Sequence, residues 1–132
     1  MKEKDYHKQQ ELNDQKIFQV KQAMEDSDEN RRRLYRIHGE IESNFAEANS
    51  ALQELEYLNL SSSDWQNLME IQQNQNRLRY DILDGLERSR KEELRNYDDL
   101  EERYAHLQRK RWQIEDELDK LKKEKNNSWL YD

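Results

Sequence analysis

No proline and only two glycines occur among 132 residues, and that scarcity leaves the chain very few turns. Proline stops helices, and glycine supplies the positive-φ conformations that tight turns need, so a compact fold of several short elements uses both repeatedly. The chain is also 33% hydrophobic and 40% charged, with a mean hydropathy of -1.51, well short of the ~45–50% apolar share of an ordinary globule. Disorder is the usual alternative for such a composition, but Leu, Ile, Tyr and Trp recur at regular spacing from end to end. Long helices are what remain.

Their pattern is a seam. Ile17, Val20, Met24, Ser27, Arg31, Leu34, His38, Ile41, Phe45, Ala48, Leu52 and Leu55 follow one another at alternating steps of three and four, which keeps them on one helical face in the manner of a left-handed coiled coil. Tyr97, Leu100, Tyr104, Leu107, Arg111, Ile114, Leu118 and Leu121 keep the same rhythm. Upstream, Leu78, Ile82, Leu86, Arg90 and Leu94 step by four, a stutter that unwinds the supercoil locally without ending the helix. The one break is Tyr57 to Trp65, where Asn and three Ser displace helix formers. Ser61 there reads as the N-cap of the second helix, with Asp64 three residues on, Leu60 and Trp65 as a hydrophobic staple, and Asn59 as a left-handed residue closing the first.

The expected fold is therefore all-α: a long antiparallel two-helix hairpin resembling a coiled coil, and part of a four-helix bundle once a partner joins. Helix one would run over about 5–58, the turn over 59–63 and helix two over 64–125, followed by a short tail. Each arm would be roughly 80–90 Å long. Residues facing each other should have numbers summing to about 122. Helix one has no apolar seam before Leu12, so Tyr104, Leu107, Ile114, Leu118 and Leu121, with Trp129, Leu130 and Tyr131 of the tail, lack an obvious partner within the hairpin. That stripe is the expected partner-binding surface.

A two-helix hairpin encloses no pocket, and the sequence holds no phosphate loop, nucleophile elbow or paired metal-binding histidines. Glu102 and His106 are four apart, a spacing that a solvated ion pair explains. No enzyme activity, metal or cofactor is expected. The absence of Cys removes disulfides and thiolate sites. A net charge of -7 with neither half basic disfavours nucleic acid. No run of 18 apolar residues offers a membrane span, and the polar start offers no signal peptide, so a cytoplasmic location is expected.

Several polar features read as structural. His38 lies in the seam with Asp84 opposite, a geometry that permits a buried pair but equally a polar seam position fixing register. Gly39 and Gly85 fall at nearly one height, which suits a bend, a close helix approach or coincidence. Arg31, Arg32, Arg33 and Arg36, level with Arg88, Arg90 and Lys91, form a basic belt that reads as a solvated, ion-paired surface. The run Gln72 to Asn76 reads as solvent-facing helix.

The second half, from Arg77-Leu-Arg-Tyr-Asp-Ile-Leu-Asp-Gly-Leu to Arg103-Tyr-Ala-His-Leu-Gln-Arg-Lys-Arg-Trp112, resembles the small helical accessory proteins made beside LXG toxins of Gram-positive type VII secretion. The length, the two-helix layout and the Trp near the turn extend the likeness over most of the chain. No Gly follows Trp65-Gln-Asn, so the likeness is to the accessory branch and not to the WXG hairpins proper. It implies an adaptor that binds the helical N-terminal region of an LXG toxin, with a second small WXG-like protein as a further partner, and helps target the toxin for export, with or without leaving the cell beside it. Aromatic-x-x-x-acid matches to a type VII export signal occur at Tyr80/Asp84, Tyr97/Glu101 and Trp112/Asp116, about as many as chance supplies in a chain this rich in both residue types; Trp112 and Asp116 lie nearest the C-terminus. Two readings of another kind stay open: a self-associating coiled coil in which two hairpins form a homodimer, and a chaperone for a different export system.

Overall fold

The structure is a computed structural model that describes residues 2–131, with side chains through residue 127. It consists of two helices, α1 (Glu3–Glu56) and α2 (Ser62–Tyr131), folded as an antiparallel hairpin, with no strand among the described residues. Neither helix meets a proline, and Leu, Glu, Arg, Gln and Lys, all strong helix formers, fill most positions. α2 continues to Tyr131 instead of ending near Lys125, because no Gly or Pro follows Lys125 to stop it. Helices of 54 and 70 residues far exceed the usual ~10–14, and each owes its persistence to the neighbour it packs on.

The reversal follows the expected capping at its second half and departs from it at the first. Ser61 Oγ accepts a hydrogen bond from the Asp64 amide at 3.2 Å, and the Trp65 amide donates to the Ser61 carbonyl at 2.9 Å, which makes Ser61 the N-cap. Asp64 adds a negative charge to the positive end of the helix. Asn59 does not adopt the left-handed conformation expected of it, since no described residue has a positive φ. The α1 end instead tightens through amide bonds from Tyr57 to Glu54 O and from Leu58 to Leu55 O, followed by one from Leu60 to Leu58 O. Three-residue closures of this kind satisfy the last carbonyls without requiring an αL residue.

Contacts divide the chain into two parts, Met1–Asp28 with Arg95–Asp132, and Glu29–Leu94. In the first, Ile17, Val20 and Leu107 form a buried cluster, with Met24, Leu100 and Tyr104 packed against it. Asn13, only 2% exposed, donates its Nδ2 to the Leu107 carbonyl across the hairpin at 3.0 Å. Ser27 is equally buried. At the open end Lys125 Nζ reaches Glu3 Oε2 at 2.6 Å. This ammonium, together with His7, holds the Glu3 carboxyl below the usual carboxylate range. A lowered pKa means that the contact contributes at pH above the ordinary glutamate range and is lost as pH falls through the lowered value. The Glu3 carboxyl titration followed by NMR should therefore lie below that range, and Lys125→Ala should move it back up; a titration indifferent to Lys125 would remove this tie between the helix ends.

In the second part Leu68 is buried, while Leu34, Ile41, Phe45, Leu52, Ile82 and Leu86 are half-buried along the seam. Arg79 forms an ion pair with Glu42 at 2.6 Å, and Asn30 donates to Glu93 at 3.4 Å, both close to the expected register. The α2 seam here runs Leu68, Gln72, Gln75, Arg79, Ile82, Leu86. Leu78 and Leu94, expected within it, are 54% and 39% exposed. The run from Gln72 is accordingly not all solvent-facing: Gln72 donates to Glu56 at 2.8 Å, and Gln75 leaves a buried Oε1 with no partner. His38 is exposed, its seam place taken by half-buried Ile37, and Asp84 pairs with Arg88 at 3.5 Å, so no buried His–Asp pair forms.

A Cβ at Gly39 or Gly85 would meet nothing within 4 Å, which excludes a close approach by the facing helix as the reason for either glycine. Both lie inside helices with ordinary φ. Gly39→Ala and Gly85→Ala should each stabilise the isolated chain by about 0.5–1 kcal/mol by restricting the unfolded state. Denaturant midpoints test this, and a loss of stability in either variant would show a backbone requirement that the open space does not account for.

Candidate functional site

The stripe expected to receive a partner is already covered by the hairpin itself. Leu107, Ile114 and Leu118 are 5%, 4% and 6% exposed, and Tyr104 and Leu121 are half-buried. The register of the Ile17–Val20–Leu107 cluster sets Gln10 level with Ile114 and Tyr6 level with Leu118. Tyr6, Gln9 and Gln10 are half-buried and Asn13 is buried. At this level α1 offers the carbon skeletons of Tyr6, Gln9 and Gln10 to the apolar stripe, while Asn13 Nδ2 reaches the Leu107 carbonyl and its Oδ1 is buried without a partner. Tyr6, Gln10, Asn13 and Ile17 step by four, three and four, so the α1 seam continues to the N-terminus in residues that a search for aliphatic side chains passes over.

Tyr104 is held on three sides. Its ring packs on the cluster, its hydroxyl accepts from Gln108 Nε2 at 2.7 Å, and Lys21 Nζ lies 5.7 Å from the ring centroid in a cation–π contact. Leu121 lines a shallow notch with Lys2, Glu3, Lys4, Glu124 and Lys125, and this charged rim limits the apolar surface there to one side chain. The side chains of Trp129, Leu130 and Tyr131 lie outside those described.

Trp112 is 63% exposed and Asp116 is exposed, the latter paired with Lys120 at 3.4 Å. The three export-signal matches differ in setting: Tyr80 projects into solvent as Trp112 does, whereas Tyr97 belongs to the seam and is half-buried. The carboxylates Asp116 and Glu117 on either side of the Lys120 ammonium push its pKa up. The basic belt is threaded with ion pairs, Arg33–Glu29 at 3.8 Å, Arg88–Asp84 at 3.5 Å and Arg90–Glu87 at 3.9 Å. No group of three or more metal-binding side chains occurs among the described residues, and no helix there is long and apolar enough to cross a membrane.

Comparison with protein-family models, with curated proteins and with solved structures returned no match.

With the C-terminal stripe covered, the large apolar side chains left in solvent lie elsewhere. Leu12, Phe18 and Trp112 stand singly on the first part. The second part carries a denser set around and above the turn: Leu55, Tyr57, Leu58, Trp65, Ile71 and Leu78, all between 42% and 90% exposed. Sequence reasoning assigned Leu55 and Leu78 to the seam and missed the others. The available signal was Ile71 and Leu78 recurring seven apart, one position ahead of the polar seam residues Gln72 and Arg79.

Proposed function

We propose that the chain is a non-enzymatic adaptor that binds the helical N-terminal region of an LXG-type toxin and helps target it for type VII export, with a second small WXG-like protein as a further partner. The observation that carries this reading is the group of exposed apolar side chains on the turn-proximal half, Leu58, Ile71 and Leu78 foremost. Isolated exposed leucines are normal on any surface, but a concentration of them on a chain otherwise so charged marks a place where another apolar surface docks. A long hairpin presents such side chains in rows at helical spacing, the form in which a second helix receives them. The resemblance of the second half to accessory proteins of LXG toxins supplies the client class.

Co-expression with the N-terminal helical region of an LXG toxin encoded beside this chain tests the proposal. A complex of fixed stoichiometry that survives size-exclusion chromatography is the expected result. A stable homodimer that ignores the toxin region would replace the adaptor with a self-associating coiled coil.

A further inference from the structure

The turn-proximal half has one flank that its seam does not use. Asn44 and Ala51 lie on a seven-residue row of α1, and Ile71, Leu78 and Gly85 on the corresponding row of α2, each immediately ahead of a seam position: Phe45 and Leu52 on α1, Gln72, Arg79 and Leu86 on α2. In an antiparallel pair these two rows border the same side of the seam. Counting from the Glu42–Arg79 ion pair, Ala51 falls level with Ile71, and Asn44 level with Leu78, to within a residue. Asn44, Ala51, Ile71 and Leu78 are exposed, Leu58 is exposed just past the end of α1, and the space beside Gly85 is empty. On the opposite flank Asn49, Met69 and Leu83 are half-buried, and the exposed aromatic Tyr35 stands alone on α1.

Charge decides what fits there. Along the outer edge of the strip on α1, Glu40, Glu47 and Glu54 repeat every seven residues, all of them exposed, and none of their carboxylates forms a hydrogen bond or ion pair among the described residues. Arg33, Arg79, Arg88 and Arg90 of the same half each have a carboxylate partner. The outer edge on α2 carries Asn67, Asn74 and Asp81. A second copy docking strip to strip would bring that acidic row against another acidic row or against Asn and Asp; Arg33 and Arg88, which end the two edges, are already ion-paired, and Arg36, Arg77 and Lys91 lie on rows away from the strip. The geometry points to an amphipathic helix from another protein as the occupant, its Leu/Ile stripe lying along Ile71 and Leu78 and its Lys or Arg edge over Glu40, Glu47 and Glu54. This deepens the adaptor reading and rests on it for the biological client, while the strip itself can be probed without that client.

The full chain is titrated with two synthetic helical peptides that share one Leu/Ile stripe, the first edged with Lys and the second with Glu, by fluorescence anisotropy. The Lys-edged peptide should bind at least about tenfold more tightly, and its advantage should shrink as added salt screens the charges. Ile71→Glu with Leu78→Glu should abolish binding of both peptides at unchanged helicity, because both positions face solvent. Changing Glu40, Glu47 and Glu54 to Gln should erase the preference for Lys while the shared apolar binding persists. Equal affinity for the two peptides, binding indifferent to Ile71 and Leu78, or a homodimer of the free chain that the Ile71/Leu78 variant dissolves would each overturn the assignment. The two readings fail separately. A toxin complex that survives the Ile71/Leu78 variant overturns the strip and spares the adaptor, whereas selective peptide capture by a chain that ignores the toxin region upholds the strip and overturns the client.

Discussion

Ile114→Ala and Leu118→Ala are each expected to cost about 2–5 kcal/mol, the range for deleting buried aliphatic side chains whose cavity cannot fully collapse. Both are nearly inaccessible, and the α1 residues at their level are Tyr6, Gln9, Gln10 and Asn13, which offer few methyl groups to refill the space. The effect should be confined to residues 1–28 and 95–131. Amide hydrogen exchange should accelerate there while residues 29–94 keep their protection. A change below about half a kcal/mol would place both side chains in solvent and return the stripe to the role of a free docking surface. Charged residues at these two positions would abolish any complex by unfolding this part of the hairpin, so loss of binding in such variants says nothing about where a client docks.

Asn13→Leu is expected to act in the opposite direction, raising stability by about 1–3 kcal/mol. The Asn13 side chain is buried, its Nδ2 is satisfied by the Leu107 carbonyl, and its Oδ1 has no partner. Replacing a half-satisfied amide by an aliphatic side chain of similar shape removes that unpaired acceptor and adds apolar contact. The amide also ties α1 to α2 at one height, and a leucine cannot, so the variant should sample other registers or higher assemblies. Denaturant midpoints measure the first effect and sedimentation the second. A destabilised, strictly uniform variant would mean that the hydrogen bond contributes more than the unpaired oxygen costs and that register is fixed elsewhere.

The two helices, the break at Tyr57 to Trp65, the Ser61 cap and the register, which the Glu42–Arg79 ion pair follows to within a residue, were legible because each depends on local chemistry or on a strict seven-residue repeat. Ten of the twelve α1 seam positions, from Ile17 to Leu52 without His38, face inward. Three features were not legible from aliphatic spacing alone. Leu78 and Leu94 lie outside the line through Leu68, Ile82 and Leu86, so Gln75, Arg79 and Glu93 take the inner places, and the inward-facing row passes through polar positions that a count of leucines skips. His38 gives way to Ile37 for the same reason. At the far end Tyr6, Gln10 and Asn13 complete the seam with amphipathic side chains, which is why the stripe from Leu107 to Leu118 looked unpartnered and is covered. The candidate surface moved from the ends of the chain to the turn-proximal half as a consequence.

Hydrogen exchange measured on the chain alone and with the N-terminal helical region of an LXG-type toxin, the proposed client, tests the adaptor reading and its docking surface together. Protection gained over residues 37–85, with residues 104–121 equally protected in both states, is the result expected of a hairpin that is closed at its C-terminal stripe and receives its client near the turn. New protection confined to residues 104–121, or no complex at all, would contradict it.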